Sequence, residues 1–146
     1  MLLRIALASA LLLAVTAQRQ IKTEACDEAG KGVIQSVTVT PCTTEPCQLK
    51  KGAVASFGFK YTCDQDSEFV RLQGTASGPF GIKIPIPGLQ NDFCKVVDCP
   101  VQKDKVYEGS FDMRIGRVPL TKTTVEMKVL GASGLSACFK FPVKLI

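Results

Sequence analysis

Apolar residues recur at every second position along most of this chain, and that spacing leaves little choice of fold. The clearest case is 53–63, where Ala55, Phe57, Phe59, Tyr61 and Cys63 share one face and Ser56, Gly58, Lys60 and Thr62 the other. A period of two is the geometry of a strand with one buried face. Val33, Val37 and Val39 read as an earlier strand that ends at Pro41, and Val70 and Leu72 as a shorter one after a polar turn at 64–67. Phe80, Ile82, Ile84 and Ile86 alternate with Gly81, Lys83 and Pro85. Tyr107, Phe111, Met113 and Ile115 share a face before Pro119. Thr123, Val125, Met127 and Val129 form the next strand, and Phe139, Phe141, Val143 and Leu145 the last. Segments 18–26 and 48–52 read as polar lead-in and turn. No helix and no internal repeat is evident. About seven short strands separated by Gly/Pro turns predict an all-β sandwich.

The stretch 80–100 is the most informative. Pro85 and Pro87 cannot donate a ladder hydrogen bond, so their strand belongs at a sheet edge or rim. Its apolar face runs into Cys94-x4-Cys99, a short loop with the spacing of a staple. Two readings fit: an ordinary core strand followed by a disulfide loop, or the mouth of an apolar cavity with the locked loop beside it.

Residues 1–17 read as a secretory signal peptide. Arg4 precedes the apolar run 5–15, and Val15-Thr16-Ala17 supplies small residues before a cleavage site. One domain, 18–146, remains. Seven cysteines then fit an oxidising compartment and a disulfide framework. Cys42 with Cys47 and Cys94 with Cys99 would each close a small loop. Cys26 and Cys138 are left near the two ends, and joining them would close most of the chain, worth about 4–5 kcal/mol of loop entropy. Cys63 is left over on a buried face, with no basic neighbour to activate it.

Net charge is +5, with scattered lysines and no basic cluster interleaved with aromatics. That argues against nucleic acid as a partner and leaves a weak attraction to anionic membranes. There is no histidine, which removes Ser-His and Cys-His catalysis and imidazole metal sites. No carboxylate pair has the spacing of acid/base work. The chain reads as a non-enzyme needing neither cofactor nor metal.

Four segments taken together carry a resemblance. PCTTEPCQLKKG at 41–52, IPIP at 84–87, CKVVDCPVQKDKVY at 94–107 and ACFKFPV at 137–143 are similar to the ML lipid-recognition family. The likeness is to its Niemann-Pick type C sterol-carrier branch, which includes the group-2 mite allergens. The resemblance implies an immunoglobulin-like β-sandwich whose sheets part slightly to hold one lipid, and the same three disulfides. It places Ile84 and Val118 on the rim of the cavity. Both positions tend to be aromatic in the vertebrate sterol carriers, and the tryptophan that follows their last cysteine is replaced by Lys140 here.

The candidate lipid contacts are Phe57, Phe59, Tyr61, Phe80, Ile82 and Ile84, with Ile86, Phe111, Met113, Ile115 and Val118. The expected function is a secreted carrier of a sterol, fatty acid or related lipid. It would be monomeric and would meet membranes transiently, in the extracellular fluid or the lysosomal lumen. Two rivals belong to other classes. One is a lipid-presenting interaction protein of innate immunity, with Lys83, Lys103 and Lys105 available to anionic head groups. The other is a protease inhibitor presenting Lys95–Asp98.

Overall fold

The computed structural model describes residues 18–146; the expected signal peptide at 1–17 lies outside the described residues. Two sheets form a sandwich. The smaller runs, edge to edge, through β1 (Arg19–Ile21), β3 (Val33–Thr40), β5 (Val54–Thr62) and β8 (Val106–Arg114), all antiparallel. The larger runs through β2 (Glu24–Ala25), β10 (Gly134–Leu145), β9 (Lys122–Gly131), β6 (Arg71–Ser77) and β7 (Lys83–Pro85). There β4 (Cys47–Leu49) adds parallel to the end of β10. The six longer strands are those that the alternation predicts. The short ones have too few residues to show a period. They exist because the edges of β3, β6 and β10 offer unpaired backbone groups, so segments expected as lead-in and turn become β1, β2 and β4.

One expected strand is corrected. Phe80–Ile86 does not run extended throughout. Pro79–Gly81 is a short 3-10 turn, and only Lys83–Pro85 pairs, with Thr75–Ser77. Pro79 fixes its own φ and Gly81 takes φ 73°, so the chain reverses there. Phe80 is carried to the hairpin tip with φ 62°, a region that bulky residues rarely adopt. The remaining strand is the edge of its sheet, where its prolines cost no ladder bond.

Register decides how the interior fills. Along β5 and β8, Ala55 faces Met113, Phe57 faces Phe111, Phe59 faces Gly109 and Tyr61 faces Tyr107. Gly109 leaves a gap, and a second 3-10 turn, Phe93–Lys95, fills it. A β-carbon on Gly109 would collide with Val96 and press on the Phe93 ring. Phe93 is fully buried and stacks on Phe59 with centroids 4.6 Å apart. The disulfides are Cys26–Cys138, Cys42–Cys47 and Cys94–Cys99, and Cys63 is free and buried. The Cys94–Cys99 staple therefore holds a plug in the closed end of the sandwich. It is not beside the cavity's mouth, so the second of the two readings of that loop does not hold for the staple. The CPVQKDKVY segment locks the same end. The amide of Cys63 donates to the Lys105 carbonyl (3.0 Å), the amide of Asp104 to the Cys63 carbonyl (2.8 Å), and the amide of Gln102 to the Tyr107 hydroxyl (2.7 Å).

Candidate functional site

Beyond Phe57 the two sheets enclose a hollow. It is narrow, with a free volume of about 70 Å3 between its walls. Its walls are aliphatic and aromatic. β5 and β8 supply Phe57, Phe111 and Met113, followed by Ile115 just past β8. The facing wall comes from β9 and β10, with Val125, Met127, Phe141 and Val143. The edge is closed by Ile84 on β7 and by Ile86 and Leu89, which follow it. Ile86 and Leu89 fold back over Gly74, where a side chain would press on both. The mouth lies between Pro85–Pro87 on one lip and Gly116 and Val118 on the other. These lips meet closely, since a β-carbon on Gly116 would fall 2.9 Å from the Pro87 ring.

Of the residues expected to contact lipid, the structure brings seven to this wall: Phe57, Ile84, Ile86, Phe111, Met113, Ile115 and Val118. It does not bring the other four. Phe59 and Tyr61 share a face with Phe57 but sit deeper, where the Phe93 plug and the rings of Tyr107 and Phe139 fill the interior. Phe80 and Ile82 lie outside on the hairpin tip, 100% and 53% exposed. The wall from β9 and β10 is not among the expected contacts, although its alternation is plain in the sequence. A sandwich hollow needs two facing walls, and that signal was sufficient to name Val125 and Met127. Leu49, also lining the hollow, was hidden in a segment that reads as turn.

No titratable side chain lines the hollow. The one large shift lies outside it, in the closed half. Burial pushes the Tyr61 phenol far above its ordinary range, with the neighbouring Cys63 adding to it. The Tyr61 hydroxyl has no hydrogen-bond partner among the described residues, because the Cys63 thiol turns to the Gln65 carbonyl (3.0 Å). Lys95–Asp98 does not present an extended loop of the kind a protease inhibitor needs. Val97 is buried, and both Val96 and Val97 pack inward over Gly109.

A two-sheet sandwich, plugged at one end and hollow with apolar walls at the other, is the class that the fold and site define. Residues 20–145 match the family described as the ML domain, and the chain belongs to that family. NPC intracellular cholesterol transporter 2 of Mus musculus is 33% identical over 150 residues, covering 98% of this chain and 99% of that one. Mite group 2 allergen Pso o 2 of Psoroptes ovis is 31% identical over 130 residues, 88% of each chain. The crystal structure of a Niemann-Pick type C2 protein from Japanese carpenter ant superposes with a TM-score of 0.76 at 19% identity. It covers 86% of this chain and 100% of that one, and shows the shared fold.

Proposed function

We propose that this protein is a secreted lipid carrier that encloses one sterol, fatty acid or related molecule between its sheets and releases it at membranes. The apolar hollow opening between Pro87 and Gly116 carries this reading. Apolar walls without packing partners forgo dispersion contacts, and an apolar ligand restores them while leaving water itself. The murine relative is named as a cholesterol transporter, which agrees. Ile84 and Val118 act as rim residues, and the deeper wall from Phe57 to Ile115 holds the ligand's body. Secretion is supported by the leader-like segment 1–17 and by three disulfides.

Handover at a membrane is supported by the hairpin tip. Phe80 and Ile82 stand exposed on the hairpin tip that leads into β7, the strand whose other end runs into the lip at Pro85–Pro87, and Phe80 is held out on an uncommon backbone conformation that costs about 1–3 kcal/mol. Such a tip suits shallow insertion among acyl chains. Two measurements test the proposal. The lipid carried by purified protein can be extracted and identified by mass spectrometry. The delipidated protein can be titrated with a fluorescent sterol and a fluorescent fatty acid. Submicromolar to micromolar binding of at least one probe is expected, and binding of neither would overturn the reading.

A further inference from the structure

Of the strands at sheet edges, β2 is two residues long and β1, β4 and β7 three each, and β7 carries Pro85. β8 is unlike them. It is an edge of nine residues, Val106–Arg114, with no proline, no lysine and no shift of register along its pairing with β5. Shortness, proline, lysine and bulges are devices that keep a sheet edge from pairing with another chain. β8 has none of them, and its only remaining defence is the charge on Glu108, Asp112 and Arg114.

Backbone direction shows what this edge offers. The amide of Ile115 donates to the Ala53 carbonyl (2.8 Å), and the amide of Cys63 to the Lys105 carbonyl (3.0 Å). Backbone groups alternate in direction along an antiparallel strand, so the odd-numbered residues of β8 turn theirs toward β5. The even-numbered residues, Val106 to Arg114, turn theirs to the open side. Among the described residues no backbone hydrogen bond outside the β5 ladder reaches them. All of these even-numbered residues are exposed.

We propose that β8 is a dimer edge, along which two copies of this chain pair antiparallel and join their smaller sheets into one. This departs from the monomer expected from the sequence. The charges identify the occupant as a second copy. In a two-fold pairing, outward-turned residues meet outward-turned residues. Centred on Ser110, the pairing sets Glu108 against the partner's Asp112; centred on Asp112, it sets that residue against itself. Centred on Phe111, it sets Glu108 opposite the partner's Arg114 and Asp112 opposite the partner's Ser110, each pair occurring twice. Opposite charges facing each other across strands favour pairing, and like charges oppose it. The groups are available. Neither Glu108 nor Arg114 belongs to an ion pair among the described residues. Arg114 donates from Nη1 to the Gly52 carbonyl (2.7 Å) and keeps the rest of its donor fork. The Asp112 carboxylate accepts the Ser56 hydroxyl on Oδ1, which leaves its second oxygen for the partner's Ser110. A strand whose charges complement their own reverse order is what a second copy requires.

Sedimentation of the purified protein at low ionic strength, from about 1 μM to about 1 mM, tests the pairing with wild type, Glu108→Arg and Arg114→Glu. Wild type is expected to dimerise with a Kd of about 10–100 μM, as small transient interfaces do. Each variant alone sets like charges opposite each other at both ends of the contact, and its self-association should weaken by at least about tenfold. Mixed in equal amounts, the two variants should regain the wild-type affinity, because the arginine at 108 of one copy then meets the glutamate at 114 of the other. Thermal melts check that both variants stay folded. A wild type still monomeric at about 1 mM overturns the proposal. So does a dimer that both variants form as tightly as wild type, which would use another surface. A mixture that associates no more tightly than the separate variants overturns it as well, since only the pairing centred on Phe111 makes the two changes compensate.

Discussion

Phe57 and Phe59 lie two residues apart on one face of one strand and serve opposite halves of the interior. Phe59 is packed among Phe93, Tyr61 and Phe139, with centroids 4.6, 5.6 and 5.9 Å away. Among the rings of the described residues Phe57 meets only that of Phe111, at 6.3 Å, and it otherwise borders the hollow. Their cross-strand partners set the difference. Phe59 faces Gly109, whose missing side chain admits the Phe93 plug, while Phe57 faces Phe111 and nothing enters. The aromatic half is dense, stapled by Cys94–Cys99 and locked to Cys63 through backbone bonds. The aliphatic half gives up packing contacts at its walls. The lesson is a division of labour within one core, in which the solid half supplies the stability that lets the other half stay open.

The largest effect that tests this division comes from the plug. Phe93→Ala should cost about 3–5 kcal/mol, as full-size aromatic deletions in dense cores do. Phe57→Ala, on a wall that already lacks partners, should cost clearly less. Urea unfolding of the two variants makes the comparison, and equal losses would dissolve the distinction between the halves. Next comes Ile84→Asp at the rim. A charge beside bound lipid costs several kcal/mol to desolvate, yet stays hydrated in the ligand-free protein. Fatty-acid or sterol affinity should fall at least about a hundredfold with little change in the ligand-free melt. A variant that binds as wild type does would remove Ile84 from the mouth; one that fails to fold would mean that this half is solid core.

The sequence made the six long strands legible, because each has enough residues to show a period of two. The two short disulfides were legible in their spacings; the distant pair had to be chosen among Cys26, Cys63 and Cys138, and the inward face of Cys63 together with the family resemblance singled out Cys26 and Cys138. Legibility failed where a neighbour decides. Phe80 and Ile82 keep the alternation of Ile84, but Pro79 and Gly81 turn the chain before Lys83 and leave both outside. Phe59 and Tyr61 keep the alternation of Phe57, but no periodicity reveals that a turn some thirty residues later will fill the space they face. Gly109 was the available sign: one gap in an otherwise continuous inward face marks where something else must enter.

That gap gives a third, smaller effect. Gly109→Ala would put a β-carbon 2.4 Å from a Val96 methyl and 3.2 Å from Phe93. Valine has little freedom to retreat, so the plug must shift, at about 1–3 kcal/mol for overpacking. A thermal melt and near-UV circular dichroism check this. A fully stable variant with an unchanged aromatic spectrum would show that the plug is looser than Phe93's burial implies.

The smallest effect has the opposite sign and concerns Tyr61 in the closed half. Its hydroxyl is fully buried and has no partner among the described residues. An unmade bond there costs about 1–3 kcal/mol, so Tyr61→Phe should stabilise the protein by about 1 kcal/mol at pH 7. The gain should grow with alkali. The unfolded chain releases the phenolic proton near the ordinary value of 10.0, whereas burial holds it on the folded protein well above that. Above about pH 10 the native state therefore binds more protons than the unfolded one, and stability falls as pH rises. Phenylalanine has no proton to lose, so the variant should escape that part of the decline. Denaturant unfolding of both proteins at pH 7 and pH 11 reads the difference, in which lysine and other shared titrations cancel. A variant less stable than wild type at pH 7 would mean that the hydroxyl is bonded and the closed half is not as dry as its packing indicates. A stability difference that stayed constant between the two pH values would show that Tyr61 ionises as readily folded as unfolded.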